Sequence, residues 1–308
     1  MNFSISSRRI AALTVFYVTV LAFGKPAPER PRSDQTHFSG AAAFEATRQA
    51  TAFGERYSGS EENTKVRNWI LAQLKPLGGR ISLDSFTGNT PDGPIPMTNV
   101  IDAFPGGSGQ AIAVTGHFDT KHIPMVHFVG ANDAGSSTGF LIEFARVIAH
   151  MKHPDTIYIV FFDGEEDLVS WTATDSLYGS RHLAEKWAAD GTLSKLKALI
   201  NVDMIGDKQL DLANDDNSSP ELRALFAKIA AKQGYSKYFR TDRGAIDDDH
   251  KPFADLGVNV IDVIDLDYGP NNSYWHTAQD TMDKLSPHSL QVVGDVVLEA
   301  VQELEQLK

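Results

Sequence analysis

The chain contains no cysteine among its 308 residues, which excludes disulfide bonds and a lipid-modified cysteine after a leader segment. Basic residues are also few, because 28 Lys and Arg stand against 40 Asp and Glu and give a formal net charge of −12. Such a surface repels nucleic-acid phosphates and anionic lipids, and no basic stripe offsets it. We therefore expect no nucleic-acid partner.

Repeats and low-complexity blocks are absent as well, so nothing in the sequence divides the main part of the chain. A hydrophobic content of 42% and a charged content of 22% are sufficient for a full core without disulfide bonds. No pattern in the sequence indicates an oligomeric state. We therefore expect one domain after the N-terminal segment.

The N-terminal segment has the layout of a secretory signal rather than of a membrane span. Arg8 and Arg9 precede fifteen uncharged, mainly apolar residues, whereas a membrane-spanning helix needs about 20. Ala22 and Gly24 supply small residues at the positions that a signal peptidase reads. We expect export to the periplasm or secretion, with an uncleaved anchor as the alternative and no other stable membrane partner. The predicted segments are a signal peptide over 1–24, a linker over 25–36 and a folded domain over 37–308.

Short apolar runs alternate with helical patterns along the predicted domain. The runs are β-branched and show little alternation, which is typical of strands buried on both faces of a sheet; they are residues 111–115, 156–162 and 198–202. Apolar residues recur at helical spacing over 140–148 and 285–307, and Ser286 with Pro287 marks the start of the second helix. The sequence predicts a single-domain α/β/α sandwich with a mixed, mostly parallel central sheet.

Polar residues follow each apolar run, at the point where the predicted strand ends. The segments that place a carboxylate or histidine there are GHFD at 116–119, GAND at 130–133, DGEE at 163–166, NVD at 201–203 and WH at 275–276. Ligands of open α/β sheets bind outside the carboxyl ends of the strands. The sequence therefore predicts one zinc-type hydrolase or transferase site at this edge.

The ordered set of motifs resembles the zinc-dependent aminopeptidases of family M28. The matching segments are RYSGS at 56–60, GHFD at 116–119, GANDAG at 130–135, GEE at 164–166, VDMIG at 202–206 and DHKPF at 249–253. The segment 171–182, the DDH triplet at 248–250 and the WHT triplet at 275–277 are similar to the animal-type glutaminyl cyclases within this family. The resemblance implies that residues 37–308 form an M28-like catalytic domain.

A catalytic zinc ion takes three protein ligands and leaves one position open. Asp133, Glu166 and His276 supply two oxygens and one nitrogen of suitable kinds. The resemblance to the cyclases implies one zinc ion per chain at these residues. An aminopeptidase would instead bind two zinc ions, with His117 and Asp203 holding the second and Asp133 bridging the pair.

The cyclase resemblance implies conversion of N-terminal glutamine to pyroglutamate with release of ammonia, so the expected partners are peptides or proteins that begin with glutamine. Glu165 is the predicted proton shuttle between the α-amine and the departing nitrogen. Asp203 and Asp248 are expected to pair beside it and share a proton. Trp171 and Trp275 are predicted to form apolar walls that bind the glutaminyl side chain and exclude water.

Two alternatives remain open from the sequence. A two-zinc M28 aminopeptidase would use Glu165 to activate water and would remove N-terminal residues. A catalytically silent binding protein on the same fold would be expected to lack a base or ligand, and none is missing. One departure from the cyclases is that Asp262 stands where the animal-type enzymes have a histidine.

Overall fold

The computed structural model describes residues 1 and 35–307. The predicted signal beyond Met1, the linker up to residue 34, and Lys308 lie outside the described residues. The described helices are α1 Gly40–Thr51, α2 Glu61–Leu74, α3 Gly135–Ile148, α4 Tyr178–Asp190, α5 Pro220–Gln233, α6 Lys251–Asp255 and α7 Pro287–Glu305. The described strands are β1 Arg80–Thr90, β2 Gly93–Phe104, β3 Ala111–His117, β4 Thr156–Phe162, β5 Leu196–Asp203, β6 Leu212–Asp215, β7 Phe239–Gly244 and β8 Val260–Ile264.

Six strands form the central sheet, in the order β1-β2-β4-β3-β5-β8. The neighbours β4, β3, β5 and β8 pair in parallel, whereas β1 and β2 form an antiparallel hairpin whose second strand pairs antiparallel with β4. Strands β6 and β7 form a separate parallel pair. The prediction of a mixed, mostly parallel sheet is confirmed.

Each face of the sheet is covered by helices, because the strand residues alternate between two apolar clusters. Ile112 and Val114 of β3 pack into a cluster with α1, α2, α3, α5 and α7. Ala113 of the same strand belongs to a second cluster, which contains Trp187 of α4 and Phe253 of α6. The structure is therefore an α/β/α sandwich, as the strand patterns predict.

The polar segments lie together because of the strand order. The chain runs from β3 to β4 on one side and then to β5 on the other side of β3. A crevice opens where the strand order reverses in this way, outside the carboxyl ends of the strands. Helix α7 begins where expected, since the Ser286 hydroxyl accepts a hydrogen bond from the His288 backbone N–H at 3.1 Å.

Among residues 35–307, no helix combines the length and the apolar character that crossing a membrane requires.

Candidate active site

The predicted site residues come from five loops and strand ends at one edge of the sheet. His117 and Asp203 are the last residues of β3 and β5. Eight predicted residues line one open cavity of about 620 Å³; they are Asp133, Glu165, Glu166, Trp171, Asp203, Asp248, Trp275 and His276. His117 lies beneath it, fully buried and in contact with Asp133 and Asp203.

Asp133, Glu166 and His276 converge on one point. His276 Nε2 lies 3.2 Å from Asp133 Oδ2 and 3.2 Å from Glu166 Oε1. Among the described residues, that Asp133 oxygen and both carboxylate oxygens of Glu166 are buried without a hydrogen-bond partner. These three unpartnered oxygens and the imidazole nitrogen fit a divalent cation, because such atoms are costly to bury unless a cation or donor compensates them. The nearby Lys121 ammonium lies 3.6 Å from Glu166 Oε2, beyond hydrogen-bond distance. The donor set of two oxygens and one nitrogen suits zinc.

A second group of ligand-type atoms lies beside the first. His117 Nε2 is 3.0 Å from Asp203 Oδ1 and 3.4 Å from Asp133 Oδ1. The two oxygens of Asp133 therefore face different groups. In this group, however, the imidazole nitrogens already have hydrogen-bond partners, Asp203 Oδ1 and the Asp119 carbonyl oxygen. The need for a cation is therefore weaker here than at Glu166.

Glu165 and Glu166 are held by the turn that follows β4. Asp119 accepts hydrogen bonds from both backbone N–H groups, at 3.1 Å from Glu165 and 3.4 Å from Glu166. The preceding Gly164 has φ +77°, and a Cβ there would lie 2.6 Å from Met97 Sδ. Glycine meets both demands, so the turn can direct the two neighbouring carboxylates to different places.

The Glu165 side chain is suited to proton transfer. Burial raises the pKa of Glu165 well above the usual range. The nearby His117 lowers this pKa, whereas the negative charges of Glu166 and Asp248 raise it further. Glu165 Oε2 lies 3.8 Å from His117 Nδ1. A carboxyl group with a raised pKa both takes and returns a proton near neutral pH.

Asp203 and Asp248 line the same cavity, and burial raises the pKa of Asp203 to about 7, with His117 opposing and Asp248 contributing to the increase. Asp248 is held from behind, since its Oδ1 accepts from the Asp249 backbone N–H and its Oδ2 from Asn201 Nδ2 at 3.0 Å. Both carboxylates of the pair expected from the sequence therefore line the same cavity.

The two predicted tryptophans line the cavity and are partly exposed, at 41% for Trp171 and 39% for Trp275. The Trp275 ring stacks on His276 with ring centroids 4.2 Å apart. The loop carrying Trp171 is fixed by Asp175, which accepts backbone N–H bonds from three residues, Leu168, Val169 and Ser170. The other tryptophans, Trp69 and Trp187, pack against the core.

Sequence reasoning gave no role to two residues that orient the site. Asp119 holds the Glu165 turn, and Asp280 accepts from the backbone N–H groups of Asn132 at 2.8 Å and Asp133 at 3.1 Å. Asp119 belongs to the GHFD segment and Asp280 follows His276 by four residues, so their positions beside motifs were the available signal. Their partners are distant in the chain, and only the fold reveals the contacts.

Strained backbone also concentrates here. Ala134, Met204 and His276 have φ values of +74°, +50° and +52°, a region that residues with a side chain adopt rarely. Each is, or directly follows, a predicted site residue. Such conformations persist where the surrounding structure imposes them, and they are frequent at functional sites.

Comparison with known proteins agrees with this architecture. Residues 99–301 match the family model described as peptidase family M28. The chain is similar to a bovine protein named glutaminyl-peptide cyclotransferase-like protein, with 32% identity in an alignment of length 265 that covers 75% of this chain and 67% of the bovine one.

Solved structures are similar as well. The structure of a glutaminyl cyclase from an Acidobacteriales bacterium aligns with a TM-score of 0.85 and 44% identity, covering 92% of this chain and 99% of that one. A zinc-dependent exopeptidase from Parabacteroides distasonis aligns with a TM-score of 0.77 and 25% identity, covering 86% and 98%.

Proposed function

Since the chain belongs to peptidase family M28 and, within it, to the glutaminyl cyclases, we propose that it cyclises N-terminal glutamine of peptides and proteins to pyroglutamate. The observation that carries the proposal is the buried Glu165, which lies beside the Asp133, Glu166 and His276 group in a cavity lined by two tryptophans. The similarity to glutaminyl cyclases over nearly the whole chain supports the same reaction.

In this reaction the substrate α-amine attacks the carbon of its own side-chain amide. The new C–N bond closes a five-membered ring, the original C–N bond breaks, and ammonia leaves. Attack within one molecule has a high effective molarity, so the enzyme must mainly fold the substrate and move a proton. Glu165 takes the proton from the α-amine and returns it to the departing nitrogen.

Asp133, Glu166 and His276 would hold one zinc ion, which as a Lewis acid polarises the amide carbonyl. The unpartnered oxygens of Asp133 and Glu166 support this assignment. Asp203 and Asp248 share a proton and hydrogen-bond the nitrogen that leaves. Trp171 and Trp275 hold the side chain between flat apolar faces and exclude water, which would compete with the amine.

A two-zinc aminopeptidase is the second candidate, because Asp133 Oδ1 faces His117 and Asp203 as a bridging ligand would. In that reaction Glu165 would activate water, and the first residue of the peptide would be released. The hydrogen bonds that already satisfy the His117 nitrogens favour the one-zinc cyclase.

The test is mass spectrometry of a glutamine-initiated peptide incubated with the zinc-loaded enzyme. Loss of one ammonia with the peptide otherwise intact is the expected result, and Glu165→Gln is the control that should show none. Release of the first residue would identify an aminopeptidase, and two zinc ions per chain by metal analysis would agree with it. An intact peptide with a full zinc content would point to the silent binding protein.

The natural substrates on this proposal are peptides or proteins that begin with glutamine and meet the enzyme after export. The predicted signal over 1–24 motivates this location. Sequencing the N terminus of the protein recovered from the periplasm or medium of its source would test it, and a product that starts near residue 25 is expected. Recovery only from the cytoplasm would contradict the proposal.

A further inference from the structure

Asn201 lies behind Asp248 and touches two carboxylates at once. Its Nδ2 donates to Asp248 Oδ2 at 3.0 Å and to Asp262 Oδ1 at 3.2 Å. Its Oδ1 accepts from the Thr115 hydroxyl at 2.9 Å. Since carboxylate oxygens need donors and an amide has its two donors on nitrogen, these contacts fix the orientation of the Asn201 side chain.

Asp262 also faces a buried histidine, at a distance too long for a hydrogen bond. Its Oδ2 lies 3.6 Å from His250 Nδ1, and the other ring nitrogen of His250 lies 3.2 Å from Asp215 Oδ2. All three side chains are buried. Asp215 is anchored by the Ser218 hydroxyl at 2.8 Å and by the Ile246 backbone N–H at 2.8 Å.

These contacts place five side chains in one row: Asp215, His250, Asp262, Asn201 and Asp248. Burial raises the pKa of Asp262 well above its usual range, with Asp248 and Asp215 adding to the effect. A protonated Asp262 would still accept from Asn201 through Oδ1. Among the described residues, Asp262 Oδ2 and both ring nitrogens of His250 are buried without a hydrogen-bond partner.

Building on the proposed function, we propose that Asn201 is a positioning residue for cyclisation, which holds the Asp248 carboxylate toward the cavity, and that Asp262 fixes the Asn201 amide. Asp248 projects from a loop with neither strand nor helix to orient it. Its carboxylate is oriented by the Asp249 backbone N–H at Oδ1 and by Asn201 of β5 at Oδ2. The reaction needs Asp248 at the leaving nitrogen. Loss of the Asn201 donor would misplace it without closing the cavity.

The experiment is a double-mutant cycle with Asn201→Leu, Asp248→Asn and the double variant, using the zinc-loaded enzyme and a glutamine-initiated peptide. Asn201→Leu should lower kcat about 10-fold or more, because it removes a hydrogen bond to a charged group, while KM and zinc content stay near wild type. In the Asp248→Asn background the same substitution should have almost no effect on kcat. Fold losses that multiply would show that Asn201 acts independently of Asp248 and would overturn the proposal.

Asp262 provides the matched pair of variants. Asp262→Asn keeps an oxygen that accepts from Asn201 and should retain kcat within about threefold, whereas Asp262→Leu should lose as much as Asn201→Leu. Equal losses for both variants would contradict the role of Asp262. A second metal ion in wild type that disappears in Asp262→Leu would also overturn the proposal, because Asp248, His250 and Asp262 would then be a cation site.

Thr115→Val keeps the side-chain shape and serves if Asn201→Leu does not fold. It should lower kcat, though less than Asn201→Leu does. In the Asp248→Asn background it should have no effect on kcat. An unchanged kcat in the otherwise wild-type enzyme would contradict the proposal. Failure of the proposed function is recognised separately, because wild-type enzyme would then release no ammonia.

Discussion

At the scale of single residues, neighbouring carboxylates have different roles because their surroundings differ. Glu166 turns Oε1 toward His276, and neither of its oxygens has a hydrogen-bond partner among the described residues, which suits a metal ligand. Glu165 lies against His117, and burial raises its pKa well above the usual range. Asp119 accepts hydrogen bonds from the backbone N–H groups of Glu165 and Glu166, so one carboxylate fixes the backbone that directs both side chains.

We therefore expect different outcomes when each glutamate is replaced by glutamine. Glu165→Gln should lower kcat about 10²- to 10⁴-fold, the usual contribution of a general acid or base, while zinc content stays at wild-type level. Glu166→Gln should lose zinc, because an uncharged amide is a weaker ligand. Metal analysis beside steady-state kinetics measures both, and loss of zinc from Glu165→Gln would contradict the division of roles.

The tryptophans separate binding from stability. Trp171→Ala and Trp275→Ala should raise KM for a glutamine-initiated peptide, because each removes an exposed apolar face of the cavity. Their effect on thermal stability should be small. Trp187→Ala is the matched control: its ring is buried against Phe253, so it should lower the melting temperature and leave KM unchanged. An increase of KM in the control alone would contradict the assignment.

At the scale of elements, the site depends on how closely the helices approach each other. Helix α3 follows the Asp133 loop and packs against α1 through Gly139, where an added Cβ would lie 2.1 Å from Thr47 Oγ1 and 2.5 Å from the Ala43 carbonyl oxygen. Those distances leave no room for a methyl group against backbone. The sequence shows a glycine inside a helix, but it does not show which helix packs against that glycine.

Gly139→Ala should therefore destabilise the protein, by about 1–3 kcal/mol or more, which is typical of overpacking. Denaturant unfolding with and without zinc would measure it. Gly107→Ala is the control, since nothing lies within 4 Å of a Cβ at that position. Equal stability of Gly139→Ala and wild type would mean that α1 and α3 can move apart at little cost.

At the scale of the whole molecule, buried acids outside the site set the dependence of stability on pH. Asp102 of β2 is fully buried, and among the described residues neither of its carboxylate oxygens has a hydrogen-bond partner. Burial raises its pKa from the ordinary 3.8 to about 6. The contribution of Asp102 to the free energy of unfolding that comes from binding this proton is therefore fully present below pH 3.8, and it is lost as the pH rises through about 6.

Asp102→Asn removes this ionisation, so the variant should gain stability relative to wild type as the pH rises. Between pH 4 and pH 8 the free energy of unfolding of the variant minus that of wild type should increase by an amount on the order of 2–3 kcal/mol. Urea unfolding at the two pH values measures the difference. A constant difference between variant and wild type would show that Asp102 does not titrate between these values.

The family and the layers of the fold were readable from the sequence, because their signals are local. Residues 111–115 and 156–162 are continuous apolar runs, and each is followed within a few residues by the polar motif that β3 or β4 delivers to the sheet edge. Strand termination itself places those motifs, so a polar site at this edge of the sheet could be predicted. The roles of the individual site residues remain predictions.

Only the tertiary structure decided which residues support that site. Asp280 reaches the Asp133 loop across 147 positions of the chain, and Asn201 reaches Asp262 across 61. No periodicity or motif encodes such pairs, because they depend on strand order and on side-chain direction in a packed core. The sequence by itself determined what chemistry the strand ends carry, and the fold decided how each carboxylate is held, since orientation comes from hydrogen bonds between distant segments.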